Sequence, residues 1–279
     1  MNIDKNIILE RKDKKSILID TFYSEEKINQ PIVIFCHGYK GFKDWGAWNL
    51  MAEHIAEAGF CFVKFNFSHN GGTMDNPIDF PDLEAFGHNN YTKELGDLEA
   101  IINWSQSHFK TNPNVNISDI NLIGHSRGGG ITIIKASEDQ RIKKLITLAS
   151  VSDFGSRSSI SGDLKDWKEN GVKYVLNGRT KQQMPHYYQF YEDFKANENR
   201  LHIESAEKHL KIPHLIIHGS NDTSVNISEA KALQKWNPNS EFKVIEDADH
   251  VFNTNHPWNE NKLSAALNQM LDAVISFLK

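Results

Sequence analysis

The feature that most constrains this chain is an alternation of short apolar runs with segments of helical period. Residues 32–36 (IVIFC), 60–67 (FCFVKFNF), 119–123 (DINLI), 145–149, 214–218 and 242–245 each read as a strand. The run at 32–36 is continuously apolar, as a strand covered on both faces should be. Between these runs lie amphipathic stretches. Parallel neighbours need crossovers, and helices supply them, so the pattern predicts a mostly parallel sheet with helices on both faces. An earlier run at 16–22 is expected as an antiparallel strand at the sheet edge. Asp44 is expected to cap a helix carrying Trp45, Trp48, Met51, Ala52 and Ile55, with Gly59 ending it. A second helix begins near Tyr91 and carries Leu95, Leu98, Ile101 and Ile102. A third covers residues 131–136, and a C-terminal helix shows a full stripe from Leu263 to Leu278.

One region breaks the alternation. About sixty residues separate the strands at 145–149 and 214–218, more than a crossover requires. Within it stand Trp167, Tyr174, Tyr187, Tyr188, Phe190, Tyr191 and Phe194. We read residues 153–210 as an inserted cap over a core formed by 1–152 and 211–279.

Composition removes several function classes. Of 279 residues 39% are hydrophobic and 24% charged, which supplies a core and excludes a disordered chain. The net charge is −5 and there is no Lys/Arg block, so nucleic acid is not an expected partner. No apolar run is long enough for a membrane span. The first residues return to charge after Ile7, Ile8 and Leu9, unlike a secretory signal, so a cytoplasmic location is expected. No His/Cys/Asp cluster has metal-ligand spacing, and neither a metal nor another cofactor is implied.

The chemistry concentrates at the strand ends. Gly124-His125-Ser126-Arg127-Gly128 matches G-x-S-x-G between a strand and a helix, where flanking glycines permit a sharp turn that lifts Ser126 above the sheet edge. A serine hydroxyl is a poor nucleophile and needs a base and an orienting acid. Asp222 follows the strand at 214–218, and His250 follows the strand at 242–245. Asp247 and Asp249 compete for the acid role, but groups so near His250 in sequence rarely reach the back of its ring. His37-Gly38-Tyr39 follows the strand at 32–36. The backbone N–H groups of Tyr39 and Arg127 are the expected oxyanion donors. His125 is expected to pack beside the turn, His37 to hydrogen-bond structurally, and His214 and His218 to be satisfied core histidines. Phe42 and Lys43 on the first loop, with Trp167, Tyr187 and Tyr191, are candidates for the pocket wall. Trp45 and Trp48 are most simply core.

Over residues 15–279 the chain resembles the serine α/β-hydrolases. The carriers are HGYKGFKDWG (37–46), GHSRGG (124–129), HGSND (218–222) and DADHVF (247–252). The order Ser126, Asp222, His250 is that superfamily's. The dienelactone-hydrolase-like and cinnamoyl (feruloyl) esterase-like group is the nearest, with its HGF-x-G-x-K loop and similarly placed cap. The resemblance implies an α/β-hydrolase fold with an eight-stranded, mostly parallel sheet. Dienelactone hydrolases use a Cys nucleophile, so Ser126 disfavours that activity; the same position excludes the Asp-nucleophile branches. In that fold the strands at 32–36 and 60–67 are parallel neighbours. Cys36 at the exit of one and Cys61 at the entry of the other are then beyond the ~7 Å reach of a disulfide.

The expected function is hydrolysis of carboxylic esters bearing small to medium acyl or aryl groups through an acyl-enzyme. A serine aminopeptidase or amidase would want an acidic subsite, which Glu204 or Asp153 could supply. An acyl thioesterase is a further alternative. A ligand-binding module without catalysis would show a broken triad, and this one is intact.

Overall fold

A computed structural model of the chain describes residues 1–158 and 163–279. Its main sheet has eight strands: β1 (Asn2–Arg11), β2 (Lys14–Tyr23), β3 (Gln30–Cys36), β4 (Cys61–Phe65), β5 (Val115–His125), β6 (Ile142–Leu148), β9 (His214–Gly219) and β10 (Glu241–Ile245). The spatial order is β1-β2-β4-β3-β5-β6-β9-β10. β1–β2 and β2–β4 are antiparallel, and every other pair is parallel. The remaining strands, β7 (Val172–Leu176) and β8 (Gln183–Tyr187), form a separate antiparallel hairpin. The α/β-hydrolase fold expected from the motifs is the fold observed.

The strand sequences explain the layering. Successive side chains of a strand point to opposite faces. In β3, Ile32, Ile34 and Cys36 enter one apolar cluster, while Val33 and Phe35 enter the other. The first cluster is covered by α3 (Tyr91–His108), α4 (Arg127–Glu138), α8 (Ile203–His209) and α9 (Ile227–Trp236). The second is covered by α1 (Trp48–Glu57) and α10 (Ala265–Leu278). A short helix α2 (Leu83–Gly87) packs against β8, with the Gly87 backbone pressed on the Tyr187 ring. Cys36 and Cys61 are buried and free, and Cys61 pairs in register with Ile32 at the far end of β3.

Two expectations need correction. The strand near residues 16–22 is not the edge; β1 lies outside it. β1 is exposed or half-buried along its whole length, with Ile3 and Ile8 open to solvent, and such a ribbon lacks the apolar run that marks a buried strand. Asp44 does not cap α1, whose N-cap is Ala47. Asp44 instead accepts from Lys64 at 2.6 Å and Lys43 at 2.5 Å, and Asp20 accepts from Lys64 at 2.6 Å and Lys43 at 2.8 Å. Asp20, Lys43 and Lys64 are almost wholly buried, so this four-member network ties the loop after β3 to β2 and β4. Burial alone would raise the Asp44 carboxyl, but the two ammonium groups hold it well below the usual carboxylate range.

The segment between β6 and β9 contains α5 (Gly155–Ser158), α6 (Leu164–Asn170), the β7–β8 hairpin, α7 (Gln189–Ala196) and α8. Trp167, Phe190 and Phe194 join the same apolar cluster as Ile32 and Ile34. Tyr91 on α3 stacks on Phe154 at 4.0 Å between centroids and meets Phe190 at 4.8 Å, which clamps the segment onto the core. Among the described residues no helix is long and apolar enough to cross a membrane.

Candidate active site

β5 runs straight into α4 with one residue between them. Ser126 takes φ 56° and ψ −121°, a conformation costly for a side chain larger than glycine's. Its N–H donates to Leu148 at 2.9 Å, and its carbonyl accepts from Gly129 at 3.0 Å and Val151 at 3.3 Å, so the turn is held from both sides. Close packing explains the neighbouring glycines. A Cβ on Gly128 would lie 2.5 Å from the carbonyl oxygens of Cys36 and His37. A Cβ on Gly38 would lie 2.8 Å from the Ser126 Cβ, so only glycine lets the loop after β3 approach the serine this closely.

Asp222 and His250 meet as the order of strands requires. β9 and β10 are parallel neighbours, and the loops leaving their C-terminal ends bring the His250 Nδ1 to 2.7 Å from the Asp222 Oδ2. The Asp222 Oδ1 accepts the N–H groups of Ser224 at 2.8 Å and Val225 at 2.9 Å. Burial would raise this carboxyl; hydrogen bonds from His218, His250 and the Val225 N–H hold it well below the usual range. Asp247 and Asp249 turn away. The Asp247 carboxylate receives Asn221, and Asp249 accepts the N–H groups of Val251 and Asn253.

Three further histidines brace this constellation. His125 points its Nε2 at the His250 carbonyl, 2.9 Å away, anchoring the loop that carries His250. His37 accepts the Phe67 N–H at Nε2, which leaves Nδ1 to donate to the Gly38 carbonyl at 2.9 Å. Burial pushes His125 down to about 3 and His37 down to about 4, so both are neutral and hold one tautomer. His214 is the core histidine expected, between Thr147 and Glu207. His218 is more than that. Its Nε2 lies 2.8 Å from the Val225 carbonyl and 3.3 Å from the Asp222 Oδ2, so it helps to position the Asp222 carboxylate. Its place four residues before Asp222, at the same strand end, was the available signal.

Arg127 is the first residue of α4, so its N–H has no acceptor within the helix and sits at the positive helix terminus. Its guanidinium pairs with Glu94 at 3.4 Å and lies over the rings of Tyr39 at 4.4 Å and Tyr91 at 5.3 Å. The Tyr39 hydroxyl donates to the His186 Nε2 at 2.8 Å, since the His186 Nδ1 is turned to the Met184 carbonyl. The loop after β3 is thus fastened at one end by the buried ion network and at the other by the hairpin.

Ser126, His250 and Tyr39 line two cavities, of about 240 Å³ and 530 Å³. Trp45 and Trp48 face the smaller one together with Arg179, and Val151, Val175 and Val225 give the larger one apolar walls. Trp48 therefore serves the core and the cavity at once. None of the expected wall residues lines either. Phe42 is fully buried against Phe80, Phe86 and Met184, and Lys43 is spent on the ion network. Trp167 is 2% exposed, with its Nε1 donating to the His186 carbonyl at 2.8 Å. Tyr191 packs on Trp167 and Tyr188. Tyr187 turns outward, its hydroxyl donating to Glu84 and its ring lying tilted against His88 at 4.4 Å between centroids. Each ring found an apolar or polar partner away from the serine. The proposed acidic subsite fails similarly: Glu204 pairs with Lys208 on α8, and Asp153 accepts the N–H groups of Gly155 and Ser156.

The family model for the α/β hydrolase fold matches residues 31–182. A 31.7 kDa protein of unassigned function from the traX-finO intergenic region of Escherichia coli is 23% identical over 173 residues, 61% of this chain and 54% of that protein. The chain thus spans about half the length of the curated relatives it matches. Among solved structures, Est1E from Butyrivibrio proteoclasticus with bound ferulic acid is similar with a TM-score of 0.73 at 19% identity, covering 98% of this chain and 97% of that one. A dienelactone hydrolase from Anabaena variabilis is similar with a TM-score of 0.62 at 14% identity, covering 99% and 95%.

Proposed function

The chain belongs to the α/β hydrolase fold family, and from that premise we propose that it is a serine hydrolase cleaving carboxylic esters of small to medium acyl or aryl groups. The observation that carries this reading is the 2.7 Å Asp222–His250 bond beside a strained Ser126 that shares both cavities with His250. In the proposed cycle His250 takes the Ser126 proton as Oγ attacks the ester carbonyl. Asp222, held ionised by the Ser224 and Val225 N–H groups and by His218 and His250, keeps the Nδ1–H tautomer and stabilises the imidazolium. The Tyr39 and Arg127 N–H groups stabilise the tetrahedral oxyanion. Protonated His250 then donates to the leaving alkoxide. Water repeats the sequence on the acyl-enzyme. No step calls for a metal or an organic cofactor. Residues 153–210 act as the cap in this reading, with Val175, Asn177 and Arg179 reaching the cavities.

The test is fluorophosphonate labelling of Ser126, followed by turnover of p-nitrophenyl esters of graded acyl length, methyl ferulate and aminoacyl anilides. Ester turnover that vanishes with Ser126→Ala supports the reading. Labelling that survives this substitution, or a preference for the anilides, overturns it.

A further inference from the structure

Four cationic side chains line the cavities that meet at Ser126. Lys40 borders both, Arg179 the smaller, and Arg127 and Arg157 the larger. Among the described residues no aspartate or glutamate lines either cavity. The three arginines are matched from behind the wall: Arg127 by Glu94, Arg157 by Glu229 and Arg179 by Asp79. Lys40 stands apart. Its Nζ donates to the Leu176 carbonyl at 3.3 Å and lies 5.1 Å from the Tyr39 ring centroid. Among the described residues no carboxylate forms an ion pair with it.

Burial and the charge of Arg127 together push the Lys40 ammonium below the ordinary lysine range, with no anion pulling it back. A partly desolvated cation without a counter-charge costs free energy that a ligand anion would offset. Lys40 also follows Tyr39, one of the two proposed oxyanion donors, so a group bound by it is close to the reacting carbonyl.

We propose that the ester substrates of this site carry an anionic group, a carboxylate or a phosphate, a few bonds from the scissile carbonyl, and that Lys40 receives it. This rests on the serine-hydrolase reading above. An ammonium is a point charge and takes either anion without the fixed fork geometry of an arginine. The same positive lining repels a free substrate N-terminus, which argues against an aminopeptidase.

The experiment measures binding with the nucleophile removed. In Ser126→Ala protein, affinities are read by calorimetry for phenyl acetates bearing a 4-carboxylate, a 4-phosphate, a neutral 4-carboxamide or a cationic 4-aminomethyl group. The expected result is binding of at least one anionic ester about tenfold tighter than the carboxamide, the size of one charge-assisted contact. Added salt should shrink that ratio. Adding Lys40→Gln should bring the ratio near unity, and Lys40→Arg should keep most of it. Equal affinity for anionic and neutral esters, or tighter binding of the aminomethyl ester, overturns the proposal. An unchanged ratio in Lys40→Gln overturns the role of Lys40. Turnover that persists in Ser126→Ala would instead strike the assignment of Ser126 as the nucleophile and leave these binding ratios standing.

Discussion

The turn between β5 and α4 and the aromatic stretch between β6 and β9 end in the same apolar cluster, yet they are built by different rules. At the turn the backbone decides. One residue joins strand to helix, glycines allow close approach, and Ser126 has only one place to go. In the aromatic stretch the partner decides. Trp167 could have faced the cavity or the core with equal local plausibility, and it went to the core because its ring and its Nε1 both found partners there. Sites fixed by backbone geometry are thus readable from a motif, while walls made of rings are not.

The largest test of this contrast is Ser126→Ala. It should lower kcat/KM for esters by several orders of magnitude and leave the melting temperature near that of the parent, because a small side chain at the turn is replaced by a smaller one. Asp222→Asn should cost about 10⁴ in kcat by analogy with other triads. Asp247→Asn and Asp249→Asn should be mild, since their carboxylates serve the loop. The reverse ranking would move the acid onto the His250 loop. Gly38→Ala should slow turnover by about 10², because its Cβ would collide with the Ser126 Cβ and displace donors that must sit within a fraction of an ångström.

A smaller effect comes from pH. An imidazole base works only when neutral, so the rate should climb with pH as the base gives up its proton. His125 at about 3 and His37 at about 4 are already neutral around pH 7 and cannot shape the climb at that pH. Asp222 does not shape it either, because its carboxyl is held below the usual carboxylate range. By the same sign, its contribution to folding is complete above the unfolded carboxylate pKa of ~3.9 and is lost as pH falls toward its folded value. Asp222→Asn should flatten that acid limb in a stability profile.

The smallest expected change in relative activity is the one that separates the two regions most sharply. Trp167→Ala should destabilise the fold by about 3–5 kcal/mol, as loss of a buried tryptophan does, without changing the ratio of rates across an ester panel. A changed ratio with an unchanged melting temperature would place Trp167 at the substrate after all.

Much of this molecule was legible before its tertiary structure. The sheet followed from continuous apolar runs such as residues 32–36, and the order Ser126, Asp222, His250 placed three groups at one sheet edge because parallel strands all end there. β1 was not legible, because a strand exposed or half-buried along its whole length lacks the run that marks a buried one. Asp44 was misread because a cap needs only a nearby helix start, whereas the ion network needs Lys64 and Asp20, distant in sequence. His218 read as core because its contact with Asp222 depends on how the loop after β9 turns back.

The sequence by itself determined the buried strands of the main sheet, their direction and the residues at the turn, since hydrophobic period, glycine placement and chain order are local or one-dimensional facts. Only the tertiary structure decided which side chains border the serine. That assignment depends on which of several apolar surfaces each ring meets, and on which charges are matched across the fold. Lys40 is the clearest case: nothing in its neighbours along the chain marks it, and only the placement of Glu94, Glu229 and Asp79 behind the three arginines leaves it as the cation facing the cavities with no carboxylate of its own among the described residues.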